Sequence, residues 1–131
     1  MPAVTLNGVS FAGSVHAAES VPRAPQIVTP KPRKIGIVLE AADGSRALIQ
    51  QTTSGGTPID KTDHELRWNR VPEATRAAVA AIFDLTTTFT AVLPQGTFTV
   101  QCEMEDYTED LDIAIPGPVY YYNVTLTLRQ P

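Results

Sequence analysis

Cysteine, tryptophan, methionine and histidine are scarce in this 131-residue sequence, which has one Cys, one Trp, two Met and two His. A single thiol, Cys102, excludes a disulfide within the chain. The two histidines, His16 and His64, lie too far apart for the ligand spacing of a zinc site. We therefore expect neither metal nor redox chemistry, and no cofactor.

Long apolar runs are also missing. No run approaches the ~20 residues that a membrane-spanning helix needs, and the first twenty residues lack the pattern of a signal peptide. We expect no membrane span and a protein made and kept in a cytoplasm. The length suits one domain whose core is large enough to fold without disulfides or metal.

Positive charge is absent from one long stretch of the chain. Residues 1–76 hold nine of the ten Lys and Arg residues and seven carboxylates, whereas residues 77–128 hold seven carboxylates and no Lys or Arg. A basic stripe is the usual footprint of phosphate binding. This charge pattern therefore argues against nucleic-acid readout.

Apolar alternation predicts a mainly β, α+β protein: an antiparallel β-sandwich or barrel flanked by one helix. The best hairpin signal is residues 34–51, with Asp43-Gly44 as its turn. A helical period over about 72–85 follows a half-buried strand that carries Trp68. The strand at 119–128 alternates most regularly. Trp68 is predicted to share one core with the helix stripe Val79, Ile82 and Phe83.

Two segments lack any period. Four prolines between Val21 and Pro32 predict an extended proline-rich arm that can pair only along one edge. Residues 52–61 contain turn formers and are predicted to be a mobile loop. We divide the chain into an N-terminal strand and arm, 1–33, and a β-sandwich domain with one helix, 34–131, within a single domain overall.

Six carboxylates lie between Glu103 and Asp112. They could offer oxygen ligands to calcium, but the segment lacks the mid-loop glycine and fixed spacing of an EF-hand, so a solvated acidic loop is the favoured interpretation. Nothing indicates that two carboxyls face each other across a cleft as acid and base. Asp63 beside His64 has no nucleophile-elbow motif near it. The sequence thus predicts no enzyme.

Three adjacent tyrosines, Tyr120 to Tyr122, must point alternately to the two faces of a strand. At least one ring should therefore leave the core and lie where a partner subunit or a ligand could cover it. We favour a subunit interface over a simply exposed tyrosine.

The order of parts from Trp68 onward resembles small tail proteins of long-tailed bacteriophages, including minor tail and distal-tail-like proteins of the tail tip. The matching runs are His64-Glu-Leu-Arg-Trp-Asn-Arg-Val71 followed by the helix, Gly96-Thr-Phe-Thr-Val100, and Tyr122-Asn-Val-Thr-Leu-Thr-Leu128. They cover about half of the chain, and the N-terminal part departs from the pattern. The resemblance implies a β-sandwich or barrel with a flanking helix, assembled into a ring, commonly of six subunits, that joins the tail tube to the tip.

The leading hypothesis is a structural component of a phage tail, assembled in the host cytoplasm with tube, hub or tip proteins and located in the virion. A head-to-tail ring needs two unlike, complementary surfaces, which the basic front and acidic back could supply. The alternative is a monomeric β-sandwich module that binds carbohydrate or protein through Trp68 and the tyrosines. The expected interface residues are Lys31, Arg33, Lys34, Thr53, Ser54, Gly55, Gly56, Glu105, Asp106, Glu109, Asp110 and Tyr121.

Overall fold

The computed structural model describes residues 3–13, 21–57, 60–115 and 119–131. Within them the chain forms ten strands and one helix. In chain order these are β1 (Val4–Leu6), β2 (Val9–Phe11), β3 (Ile27–Lys34), β4 (Gly36–Glu40), β5 (Arg46–Gln50), β6 (Asp60–Pro72), α1 (Glu73–Phe83), β7 (Phe89–Leu93), β8 (Gly96–Val100), β9 (Tyr107–Ile115) and β10 (Val119–Leu128).

Two four-stranded antiparallel sheets form a sandwich around one core. The first sheet has the order β2-β1-β7-β8 and the second has the order β3-β6-β10-β9. Aromatic contacts connect them: the rings of Phe11 and Trp68 lie 5.8 Å apart, and those of His64 and Phe98 lie 4.7 Å apart. The predicted mainly β fold with antiparallel sheets and one helix is confirmed.

Strand β10 shows how the sequence produces this packing. Val124, Leu126 and Leu128 are at most 2% exposed, and the alternate residues Thr125 and Thr127 face away from the core and are half-buried. Since successive strand residues point to opposite faces, an apolar–threonine alternation gives one core face and one polar face.

Helix α1 begins after Pro72 and ends at Phe83, slightly inside the predicted 72–85. Its buried residues are Thr75, Val79 and Ile82, and of these Val79 and Ile82 share one core with Trp68 as predicted. Phe83 is only partly buried and stacks on Tyr107 with ring centroids 5.4 Å apart. The prediction is therefore confirmed for the helix stripe, with Phe83 at the margin of the core.

The interpretation of 103–112 as an acidic loop is wrong from Tyr107 onward. Residues Tyr107–Ile115 form strand β9, which pairs antiparallel with β10 along its whole length. Asp and Glu are poor strand formers, but β-propensity depends strongly on context. The unpaired side of the long strand β10 and the packing of Tyr107 against the core outweigh that weak preference.

The proline-containing segment is an edge strand. Strand β3 spans the predicted boundary between residues 33 and 34 and pairs on one side with β6, while β1 pairs with β7 of the first sheet.

Within the predicted loop 52–61, residues 53–57 form a tight turn in which the Thr53 N–H donates to the Thr57 carbonyl at 2.9 Å. Strand β6 already begins at Asp60, and residues 58–59 lie outside the described residues.

The predicted hairpin at 34–51 is present as β4 and β5. Its turn uses Gly44 at a φ of +86° and an Asp43 carboxylate oxygen that accepts the Ser45 N–H at 2.9 Å. Asp-Gly is a frequent choice for such a turn because glycine adopts positive φ without strain. The hairpin is a separate two-stranded sheet that continues from the ends of β3 and β6.

Candidate assembly surface

Hairpin β4–β5 exposes apolar side chains on both of its faces. Ile37 pairs with Ile49 on one face, and Val38 pairs with Leu48 on the other. These four side chains and Leu39 are between 49% and 59% exposed. An isolated two-stranded hairpin is only marginally stable in water, and contiguous exposed apolar surface is typical of an interaction site. The hairpin is therefore the strongest candidate contact surface among the described residues.

The sequence predicted the hairpin but not that both of its faces would expose apolar side chains. It considered only the face of Ile35, Ile37 and Leu39. The available signal was the unbroken apolar run Ile37-Val38-Leu39, which has no polar residue at either alternating position. A strand of this kind needs cover on both faces.

The basic residues predicted on the arm mostly have partners within the chain. The Lys31 ammonium pairs with Glu65, and Arg33 Nε donates to both carboxylate oxygens of Asp63 at 3.0 and 3.2 Å. Lys34 is exposed and has no ion-pair partner among the described residues. Of these three cations, Lys34 is therefore the one free to contact another subunit.

The carboxylates predicted at the interface likewise include some with a partner within the chain and some without an ion-pair partner. Asp106 is 5% exposed, and its carboxylate accepts from Arg129 Nε at 2.9 and 3.0 Å and from the Glu103 N–H at 2.6 Å. Glu109 pairs with Arg76 at 3.0 Å. Glu105 and Asp110 are exposed and lack an ion-pair partner in the described part of the chain. The hypothesis that a neighbouring arm must neutralise the whole acidic segment therefore loses much of its basis.

Charged side chains without an ion-pair partner in the described part of the chain lie in two main regions. Around the hairpin they include the cations Lys34, Arg46 and Lys61 and the carboxylates Glu40, Asp43 and Asp60. Asp110 lies on β9, and Glu105 lies on the turn before it. Sequence reasoning missed Arg46 and Lys61, because only the fold shows which cations are already paired. The hairpin region thus carries unpaired charges of both signs, whereas the edge with Glu105 and Asp110 is acidic.

The other predicted interface residues are at the surface to different degrees. Thr53, Ser54, Gly55 and Gly56 form the exposed turn that follows the hairpin. Tyr121 is half-buried, whereas Tyr120 is 43% exposed. Tyr120 and Tyr121 both lie outside the core cluster, and Tyr120 is the more exposed of the two.

Trp68 cannot bind an external partner. Its side chain is 0% exposed, and its indole Nε1 donates to the Arg23 carbonyl at 2.8 Å. The prediction that Trp68 belongs to the core is confirmed, and the binding-module alternative loses its main recognition residue.

The reactive side chains of the described residues are held in structural roles. Burial raises the pKa of the Cys102 thiol to about 12, and its Sγ donates to the Thr127 carbonyl at 3.4 Å. A thiol with so high a pKa is a poor nucleophile at neutral pH. His64 is buried, and its pKa is lowered chiefly by that burial, with Asp63 opposing the shift.

The described ranges lack two features, a metal-binding cluster and a membrane-spanning helix. No group of three or more His, Cys, Asp and Glu side chains is placed to hold a metal ion. No described helix has the length and apolar character needed to cross a bilayer.

No family model matches this sequence, and comparison with curated proteins finds no match. Among solved structures, the chain is similar to a chain of "Virion of native gene transfer agent (GTA) particle", with a TM-score of 0.50 and 12% identity over 99% of this chain and 90% of that chain. The two chains share a fold. A second match, to "Tail of empty GTA particle computed with helical refinement, C6 symmetry", has a TM-score of 0.44 and 13% identity over 82% and 78% of the two chains.

Proposed function

We propose that this protein is a structural component of a phage-tail-like particle that acts by assembling with copies of itself. The observation that carries the proposal is hairpin β4–β5, which extends from the sandwich with apolar side chains exposed on both faces. The fold shared with a virion chain supports a place in such a particle. The role is structural and non-enzymatic.

Apolar contact at the hairpin supplies most of the affinity in this proposal. Fully burying an Ile, Leu or Val side chain contributes about 1.5–3 kcal/mol, so covering a half-exposed one contributes about 1 kcal/mol. Five such residues together outweigh the exposed ion pairs, which contribute about 0–1 kcal/mol each. Charge then sets the orientation and register of the contact.

A closed ring, commonly of six subunits and located at the tail tip or tube, is the form proposed from the sequence resemblance. A head-to-tail ring requires two different complementary patches on each subunit. The apolar hairpin with Arg46 and the acidic edge with Glu105 and Asp110 are two such unlike surfaces. Assembly in the host cytoplasm and contact with tube, hub or tip proteins belong to the same proposal.

Sedimentation velocity over a concentration series tests the proposal. The double variant Ile37→Thr, Ile49→Thr removes one apolar face, and threonine keeps the β-propensity of the strands. The matched control is Val92→Thr on β7, because Val92 is 45% exposed but lies in the sandwich. We expect wild type and control to form the same oligomer and the double variant to dissociate. If all three sediment alike, whether as oligomers or as monomers, the hairpin is not the assembly surface.

A further inference from the structure

The outer edge of strand β3 is closed to further strand pairing. The Gln26 N–H donates to the Arg67 carbonyl at 2.8 Å, so Arg67 directs its backbone groups toward β3. Backbone groups in an antiparallel ladder alternate between the two sides, so Pro30 and Pro32, opposite His64 and Thr62, lie at positions that face outward. Neither proline has an N–H to donate, so this edge cannot bind a regular strand along its middle.

The opposite edge of the same sheet, strand β9, is open. The Thr127 N–H donates to the Asp106 carbonyl at 2.8 Å, so Thr127 directs its backbone toward β9. By the same alternation, the backbone N–H and C=O groups of Thr108 and Asp110 bond to β10. Those of Glu109 and Leu111 point to the open side of β9. No described strand pairs with this outer side, and 107–115 contain no proline or lysine to block it.

Two possible occupants from a second copy are disfavoured. A symmetric β9–β9 pair would bring Glu109, Asp110 and Asp112 of both copies together, and like charges opposite each other on a sheet are destabilising. Strand β3 of a second copy is blocked by its prolines. Of the other strands that lie at a sheet edge, β2, β4, β5 and β8, only β5 carries a cation, Arg46, which has no ion-pair partner among the described residues.

We propose that strand β5 of a second copy adds to the open edge of β9 and extends the sheet β3-β6-β10-β9 across the subunit boundary. The inference rests on the proposed self-assembly and names its contact. Arg46 faces the acidic edge, and Leu48 packs beside Leu111. Since β3 is closed, the sheet β3-β6-β10-β9 accepts a strand at one of its two edges only, which gives the assembly a direction.

Disulfide trapping between differently labelled copies tests the pairing. In a Cys102→Ser background, Leu48→Cys protein is mixed under mild oxidation with Leu111→Cys or with Glu109→Cys, which cover two registers of the ladder. Leu48 and Leu111 are 49% and 57% exposed, so both thiols are accessible. The control partner is Ile27→Cys, which is 46% exposed but lies on the closed strand β3.

We expect a cross-linked heterodimer with Leu111→Cys or Glu109→Cys, at about ten times the yield obtained with Ile27→Cys. Equal yields would overturn the proposal, as would Leu111→Cys linking preferentially to itself. An oligomer that forms without either cross-link would overturn the β5–β9 contact and leave self-assembly standing. A wild-type protein that stays monomeric would overturn both.

An edge-blocking proline provides an independent test. Leu111 directs its N–H outward, so Leu111→Pro removes a donor from the open edge and no bond to β10, just as Pro30 does on β3. Its matched control, Leu111→Ala, removes the side chain and keeps the N–H. We expect both monomers to be folded and only the proline variant to lose association, by about tenfold or more. Equal association of the two folded variants would contradict strand addition at β9.

Discussion

The indole Nε1 of Trp68 donates a hydrogen bond of 2.8 Å to the main-chain carbonyl of Arg23. The Trp68 side chain is fully buried, and this bond satisfies its single polar atom. The N–H of Arg23 in turn donates to Thr75 Oγ1 on the helix at 3.1 Å. The chain just before β3 is thus attached to both the second sheet and helix α1.

Replacing Trp68 by Phe should lower the free energy of unfolding by about 2–4 kcal/mol. The change leaves a cavity in the core and a carbonyl without its donor. Urea unfolding followed by far-UV circular dichroism measures the loss. A decrease below about 0.5 kcal/mol, typical of a surface substitution, would contradict the role assigned to this residue.

Replacing Arg129 by Ala should destabilise the fold by about 3–5 kcal/mol, because it leaves the buried Asp106 carboxylate without its cation. The control is Arg46→Ala, whose side chain has no ion-pair partner in the described part of the chain and should change stability by less than about 0.5 kcal/mol. Thermal unfolding of the two variants gives the comparison. Equal losses of stability in the two variants would mean that the Asp106–Arg129 ion pair does not stabilise the fold.

Asn123 supports an unusual backbone position in β6. Arg70 has a φ of +55°, and its N–H donates to Asn123 Oδ1 at 3.0 Å, where the register of β6 against β10 shifts. Asn123→Ala should lower stability by about 1 kcal/mol, whereas Asn69→Ala, which removes an exposed side chain without a hydrogen bond among the described residues, should cost less. Chemical denaturation of both variants tests this ranking, and the reverse order would contradict it.

Stability should fall as the pH decreases below the ordinary histidine pKa of 6.5, because burial lowers the pKa of His64 in the folded chain. The unfolded chain then binds the proton more readily, which favours unfolding. His64→Phe preserves an aromatic ring in contact with Phe98 and removes the buried Nδ1 that has no hydrogen-bond partner. The difference in unfolding free energy between pH 7 and pH 5.5 should shrink in this variant. An unchanged difference would remove His64 as its cause.

The local alternation or helical period of apolar residues was sufficient to predict those strands and helices whose own side chains show which face is buried. The alternation of Val124, Leu126 and Leu128 required a buried strand face, and the 3.6-residue period through Val79 and Ile82 required a helix. Strand β9 could not be predicted in this way, because its carboxylates oppose strand formation and β10 provides its pairing partner. Long-range pairing decided that segment.

The candidate interface was only partly visible from sequence for a related reason. Composition showed that 77–128 have no cation, but Arg70, Arg76 and Arg129 reach these carboxylates through the fold. The alternation that places Pro30 and Pro32 on the outer side of β3 likewise depends on register, which sequence does not specify. Sequence therefore indicated charged surfaces, and the structure showed which charges and which edge are unpaired.

Native mass spectrometry of the purified wild-type chain, recorded as its concentration is raised, tests the central claim of self-assembly most directly. The account predicts that the 14.1 kDa monomer gives way to one discrete oligomer, with six copies as the proposed number. It also predicts that the Ile37→Thr, Ile49→Thr variant stays monomeric over the same range. A wild-type chain that remains a monomer at every concentration would contradict the account.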